Sequence, residues 1–310
     1  MSAALITVVG SLNMDLITYC RRAPRAGETV TGDRFRTACG GKGANQAVAA
    51  ARLGAAVAMI GCVGEDAFGD ELVAALAAEG VDTAGVRRVP GSSGIAAITV
   101  EEGGGNRIVV VPGANARLER LGPADRRRIA GSRFLLLQLE SPLPVVEEAA
   151  RVARAAGVTV MLTPAPARPL PPSLLEAVDW LLPNETELAT LAGIGALEED
   201  AAAIEAAARR LGAGRIRVVV TLGARGCLYV PPEGPALAVP AVAVRAVDTT
   251  AAGDTFAGAL AVALAEGQAV DDALRFATRA AGLAVTREGA QPSMPYRAEV
   301  DGFAAEPVGP

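Results

Sequence analysis

Two rhythms of hydrophobic and polar positions run through this chain. Short, mostly apolar runs at residues 5–10, 57–60, 134–139, 158–162, 180–182 and 217–221 predict buried β-strands. Between them, apolar residues recur at helical spacing over residues 68–79, 143–156, 200–211 and 271–285, and an Ala-rich helix is predicted to end near Leu53. Pro183-Asn184-Glu185-Thr186-Glu187 opens a further helix, with acids in its first turn where the dipole favours them. Strands buried on both sides and alternating with helices predict an α/β fold, a central mostly parallel sheet flanked by helices in three layers.

Some strand material does not alternate with helices. Residues 27–36 form a polar, Thr-containing segment with the character of an exposed strand. Residues 95–100 and 107–111 flank Glu101-Glu102-Gly103-Gly104-Gly105-Asn106, which reads as a hairpin. The expectation is one domain over residues 1–310, with a small β-sheet lid formed from about 13–40 and 95–112. Such an appendage is too small to be stable alone.

Composition narrows the chemistry. The chain is 51% hydrophobic but only 3% aromatic, so its core must be aliphatic. The net charge of −5 is spread over mixed signs, which argues against a nucleic-acid partner, and Arg126-Arg127-Arg128 reads as a solvated helix face. Cys20, Cys39, Cys62 and Cys227 lack metal-ligand spacing and read as free thiols of a reducing cytoplasm. No basic segment leads into a long apolar one, and no run reaches the roughly 18 residues of a membrane span, so a cytoplasmic protein is expected. Histidine is absent altogether, which excludes Ser-His-Asp triads, histidine-ligated zinc and histidine bases.

The stretch Val247-Asp248-Thr249-Thr250-Ala251-Ala252-Gly253-Asp254-Thr255-Phe256 reads as a turn of small residues entering a helix. Unpaired N–H groups at such a start attract an anion, and nothing bulky at Ala251, Ala252 or Gly253 blocks a phosphate. Asp254 in the same turn is placed to act as a general base, although an acid there would equally suit the helix dipole. Asn13, Glu140, Asn184 and Thr221 each follow a predicted strand, at the edge where open α/β sheets bind ligands. Asn13 and Asp15 are expected just past the first strand, as ligand contacts or as turn residues bonding locally. In Gly40-Gly41-Lys42-Gly43-Ala44-Asn45-Gln46-Ala47 the glycines allow close backbone approach, with Lys42 and Asn45 as polar anchors; a flexible turn is the alternative. Gly43 follows Lys42 where a Walker A loop needs Ser or Thr.

Together these segments resemble the ribokinase (phosphofructokinase-B) family. The glycine-rich segment, Asn184-Glu185-Thr186-Glu187 and the stretch from Asp248 to Phe256 are similar to its two signatures and its central N-x-x-E motif. Gln138-Leu139-Glu140-Ser141-Pro142, Pro164-Ala165-Pro166-Ala167-Arg168 and residues 285–293 extend the resemblance over practically the whole chain. It implies ATP-dependent phosphorylation of the 5-hydroxyl of D-ribose. Asp254 would be the base, with the N–H groups of Ala252, Gly253 and Asp254 as anion hole. Asn13, Asp15, Gly41, Lys42, Gly43, Asn45, Glu140 and Asp254 would contact the sugar. Asn184 would meet the ATP phosphates, Glu187 the water shell of Mg²⁺, and Thr221, Gly223, Ala224, Gly226, Gly253 and Thr278 would line the nucleotide site. Thr278 stands where relatives commonly carry His or Asn beside the adenine. The resemblance also implies an activating K⁺ at Asp248, Thr250, Ala284, Arg287, Gly289 and Ser293, and a homodimer paired through the lid.

Other readings remain open at this level. A sibling kinase acting on deoxyribose, another sugar or a nucleoside would use the same machinery. The six Phe and three Tyr form no cluster near the sugar motifs, which argues against a nucleoside. Retention of Asp254 and Glu187 argues against a catalytically silent sugar-binding regulator, and no G-x-G-x-x-G follows the first strand as a Rossmann dehydrogenase would require.

Overall fold

A computed structural model of the chain describes residues 6–103, 105–195 and 200–303; Leu5 of the expected first strand and Gly104 of the expected hairpin turn lie outside them. The chain begins β1 (Ile6–Val9), β2 (Asn13–Cys20), β3 (Arg34–Gly40), α1 (Lys42–Arg52), β4 (Val57–Gly64) and α2 (Ala67–Ala78). It continues β5 (Asp82–Val89), β6 (Gly94–Glu101), β7 (Asn106–Val111), α3 (Pro123–Ala130), β8 (Phe134–Leu137), α4 (Leu143–Ala155), β9 (Thr159–Leu162) and α5 (Pro172–Ala177). The remainder is β10 (Trp180–Leu181), α6 (Glu185–Ala192), α7 (Ala201–Gly212), β11 (Arg217–Thr221), β12 (Cys227–Val230), β13 (Leu237–Val239), α8 (Ala252–Ala265), α9 (Val270–Ala284) and α10 (Arg297–Asp301).

Nine strands form the central sheet in the order β13-β12-β11-β10-β9-β8-β1-β4-β5. From β11 to β5 the pairings are parallel, and β12 and β13 extend one edge antiparallel. Strand side chains alternate between two cores. Leu136, Met161 and Val219 pack on the side of α1, α8 and α9, whereas Leu135, Leu137, Val160, Leu162, Val218 and Val220 pack on the side of α4 and α7. A strand covered on both faces has no polar side, which is why these segments are largely apolar rather than alternating. β1 has β4 on one flank and β8 on the other, so the connections diverge there and leave a crevice beyond the carboxyl ends.

The second sheet has the order β3-β2-β6-β7 and supplies one wall of that crevice. β6 and β7 pair antiparallel from Ile95–Val111 to Val100–Asn106, as a hairpin requires. Two expectations are corrected. Asn13 and Asp15 do not lie in a turn: they begin β2, with only Gly10-Ser11-Leu12 between it and β1. The exposed strand expected at 27–36 instead runs from Arg34 to Gly40, directly into α1. β5 left no trace in the hydrophobic pattern because, of its eight residues, only Gly85 is buried. No helix among the described residues is long and apolar enough to cross a membrane.

Candidate active site

α8 starts abruptly. Ala251 takes the left-handed conformation at φ 59°, and Thr255 N–H closes the first turn on its carbonyl at 2.9 Å. The N–H of Ala252 reaches back to Thr249 O at 3.3 Å, so of the three expected anion donors it is already partly engaged. Gly253 and Asp254 belong to the first turn, where N–H groups have no intrahelical carbonyl to meet. A Cβ on Gly253 would find no atom outside its own helix within 4 Å, so the mouth of the turn is open.

Asp254 is buried beside this turn, and α1 meets it. Asn45 Nδ2 donates to its Oδ2 at 3.0 Å and Gln46 Nε2 to its Oδ1 at 3.1 Å. Burial pushes the Asp254 carboxyl up from its ordinary range, against the opposing pull of Lys42 and of the two amides. A carboxylate so placed accepts a proton more readily than a solvated one.

The start of α1 is clamped to the end of β1. Ala44 N–H donates to Ser11 O at 2.9 Å, Gly43 N–H to Ser11 Oγ at 3.3 Å, and Lys42 N–H to Glu140 Oε2 at 3.2 Å, while Ser11 Oγ also donates to Glu140. Gly41 has φ 90°, and a Cβ there would lie 2.6 Å from Asn13 N. Asn13, Asp15, Gly41, Lys42, Gly43, Asn45 and Glu140 are thereby gathered where β1, β2, β8 and α1 converge. Sequence reasoning missed Asn115, in a short helical turn after β7. Its Nδ2 donates to Asn13 Oδ1 at 2.7 Å and to Leu12 O at 3.0 Å, and its Oδ1 accepts from Leu12 N–H at 2.9 Å. Asn13 thus spends its carbonyl oxygen internally. No spacing rule marks Asn115; only its burial reveals it.

Asp15 is 8% exposed. Burial, with the neighbouring charges of Glu140 and Asp254, pushes its carboxyl up to about 7, although Lys42 opposes them. Burial works against the Lys42 charge too, but the fields of Asp254, Glu140, Glu187 and Asp15 raise its pKa overall. The Asp15 shift has a consequence for stability. Folded, the group keeps its proton to about pH 7; unfolded, it loses it near 3.8. Between those values the folded chain binds the extra proton, so stability from this group is full at acid pH and is lost as pH rises towards 7. The unfolding midpoint of the unliganded protein is expected to fall more steeply between about pH 4 and about pH 7 than that of Asp15→Asn. Parallel thermal-unfolding profiles for the two would refute the assignment.

Two cavities that share lining residues lie at the start of α8. One of about 180 Å³ is bounded by Lys42, Asn184, Glu187, Thr221, Gly253 and Asp254. The other, about 360 Å³ and largely apolar, has Gly223, Ala224, Gly226, Val242, Thr278 and Val285 in its wall and shares Thr221 and Gly253 with the first. All the residues expected at a nucleotide site from Thr221 onward fall in this second cavity. Thr278 Oγ1 donates to Leu274 O at 2.8 Å, so its hydroxyl proton is already used within α9. The segment at Val242, between β13 and α8, was missed because it carries no motif. Asn184 caps α6: its Oδ1 accepts from Glu187 N–H at 2.8 Å, and Glu187 Oε2 accepts from Asn184 N–H at 2.9 Å. Burial pushes Glu187 up, with the Asn184 N–H and Lys42 pulling it down.

The loop before α8 is tied to the loop after α9. Asp248 Oδ1 accepts from Thr250 N–H at 2.9 Å and from its hydroxyl at 2.6 Å, and Oδ2 accepts from Gly289 N–H at 2.8 Å. These bonds outweigh burial and hold Asp248 below the usual carboxylate range. Ser293 Oγ donates to Ala290 O at 2.8 Å, and the Arg287 guanidinium pairs with Glu299. Ala284 ends α9 at the same junction.

This arrangement has close relatives. The pfkB family carbohydrate kinase profile matches residues 3–297. The chain is 44% identical over 296 residues to the ribokinase of Haemophilus influenzae, covering 95% of this chain and 96% of that one. It is 40% identical over 297 residues to the deoxyribokinase of Salmonella typhimurium, covering 94% and 95%. The structure of Arabidopsis thaliana ribokinase complexed with ribose and ATP superposes with a TM-score of 0.91 at 36% identity, covering 97% of this chain and all of that one. With a buried carboxylate between a polar cleft and a nucleotide-sized cavity, and likeness along nearly its full length, the chain belongs to the pfkB family of carbohydrate kinases.

Proposed function

We propose that this protein is a ribokinase, transferring the γ-phosphoryl group of ATP to O5 of D-ribose. The observation that carries the reading is the position of Asp254, buried at the helix start between the polar cleft and the two cavities. The sugar proton passes to Asp254 as O5 bonds to the γ-phosphorus. The bond to the bridging oxygen breaks and its electron pair leaves on ADP. The N–H groups of Gly253 and Asp254, joined by Ala252, meet the charge that spreads over the transferring group. Asn13, Asp15, Gly41, Lys42, Gly43, Asn45 and Glu140 hold the hydroxyls, as a polyol with little apolar surface demands. Asn184 faces the phosphates, and the apolar cavity takes the base.

Two cations fit the residues present. Mg²⁺ supplies charge neutralisation on the phosphates, and Glu187 would orient its water shell rather than ligate it, since magnesium keeps several waters. Where the loop before α8 meets the loop after α9, the carboxylate of Asp248, the hydroxyls of Thr250 and Ser293 and the carbonyls of Ala284, Arg287 and Gly289 would supply an all-oxygen donor set suited to a hard cation such as K⁺. K⁺ there would stabilise the turn that presents the anion hole. The test is ADP release from Mg-ATP with D-ribose, with and without K⁺. Ribose-dependent turnover raised by K⁺ is expected. The deoxyribokinase relative makes deoxyribose the second reading: turnover on deoxyribose alone would move the substrate, and silence on every sugar would overturn the kinase assignment.

We also propose a cytoplasmic homodimer paired through the small sheet. β7 is an edge strand exposing Ile108, Val109, Val110 and Val111, with Val109 65% exposed, and Phe35 adds to the apolar surface. Such an edge is a template for pairing unless it is covered. Sedimentation is expected to show a dimer that Val109→Asp converts to monomer; a parent chain that stays monomeric would refute the pairing.

A further inference from the structure

Gln46 and Gln138 are buried glutamines that no motif assigned a role. Gln46 touches Asp254 through Nε2, and the same nitrogen donates to Thr163 Oγ1 at 3.1 Å. An amide alone could turn over and face the carboxylate with its oxygen. Gln138, one residue past the carboxyl end of β8, prevents this: its Nε2 donates to Gln46 Oε1 at 2.6 Å. Gln138 Oε1 has no hydrogen-bond partner, and a Cβ on Gly10 would lie 2.1 Å from it, so the β1 terminus is shaped around this side chain. A buried polar atom left unpaired is a cost that calls for a function.

We propose that Gln46 and Gln138 are positioning residues for phosphoryl transfer: Gln138 fixes the Gln46 amide, and Gln46 pins Asp254 Oδ1, leaving Oδ2 to take the sugar proton. This rests on Asp254 being the base. Asn45, on Oδ2, is the displaceable partner. Its Oδ1 is buried without a partner, and it stands among the residues that would meet the sugar. Gln46 is held by protein on every side and stays in place when a hydroxyl arrives. Neutral amides suit this task. They orient a carboxylate without the strong acidification that an Arg or Lys in direct contact would impose.

The test is the kcat pH profile of Gln46→Met, Gln138→Met and Gln46→Glu beside Asp254→Asn. Gln46→Met, neutral and similar in size, is expected to lower kcat by about tenfold to a hundredfold. KM for ribose should stay within about threefold, and the acid limb should move to higher pH because the charged base loses a donor. Gln138→Met should move it the same way by less. Gln46→Glu keeps the shape and the bond from Gln138 but sets a second carboxylate on Oδ1, so its limb should move furthest. It carries the test if Gln46→Met does not fold, with calorimetric ATP binding as the check on folding. A loss of folded protein alone would scale kcat equally at every pH. Unmoved acid limbs in the Gln46 variants, with kcat of Asp254→Asn lowered by about 10²-fold or more, would overturn the positioning role. A kcat of Asp254→Asn within about tenfold of the parent would overturn the base assignment itself.

Discussion

Asp254→Asn is expected to lower kcat on ribose by about 10²–10⁴-fold while leaving ribose and ATP affinities within a few-fold. The substitution keeps the shape and removes the one basic group at the start of α8. Stability should change little, because two effects oppose. The asparagine NH₂ would face an amide donor on one side, Asn45 or Gln46, and forfeit that hydrogen bond. Against this, the variant no longer buries a charge that burial already disfavours. Asn is more discriminating than Ala here, since Ala would also open a void beside the anion hole. Single-turnover ADP formation with calorimetric binding of both substrates reads the result. A kcat within tenfold of the parent would remove Asp254 from the base role.

Much of this was legible in the chain because its causes are local. Fully apolar runs such as 134–137 announce strands covered on both faces, and the glycines beside Lys42 announce close backbone approach. What stayed hidden depends on partners distant in sequence. Asn115 orients Asn13 from 102 residues away, and Gln138 orients Gln46 from 92. Asn13 and Asp15 were expected in a turn past the first strand, but they begin the second strand. The pattern after Gly10 looks like a turn, whereas pairing with β3 and β6 makes it a strand. β5 shows the same limit from the other side, since its backbone pairs with β4 although almost none of its side chains are buried.

Gly43→Ala is expected to be harmful although helix propensity favours it. Inside a helix, Ala is preferred to Gly by about 1 kcal/mol. At Gly43, however, a Cβ would stand 2.7 Å from both the carbonyl carbon of Gly10 and the amide nitrogen of Ser11. Both are backbone atoms at the end of a central strand, with no side-chain rotamer to give way. Overpacking of this kind costs about 1–3 kcal/mol, so a modest net loss of stability is expected. The larger effect falls on activity. α1 must move away from β1, and it carries Lys42, Asn45 and Gln46, which bond Glu140 and Asp254. A displacement of about 1 Å in such a constellation can cost about 10²-fold in kcat/KM. Gly253→Ala is the matching control for stability. Gly253 is likewise the second residue of its helix, but a Cβ there meets open space. Its unfolding midpoint should equal or exceed the parent's, whereas that of Gly43→Ala should not. If Gly43→Ala matched the parent in both unfolding midpoint and kcat/KM, the close approach of α1 to β1 could not be what aligns the sugar-binding residues with the base.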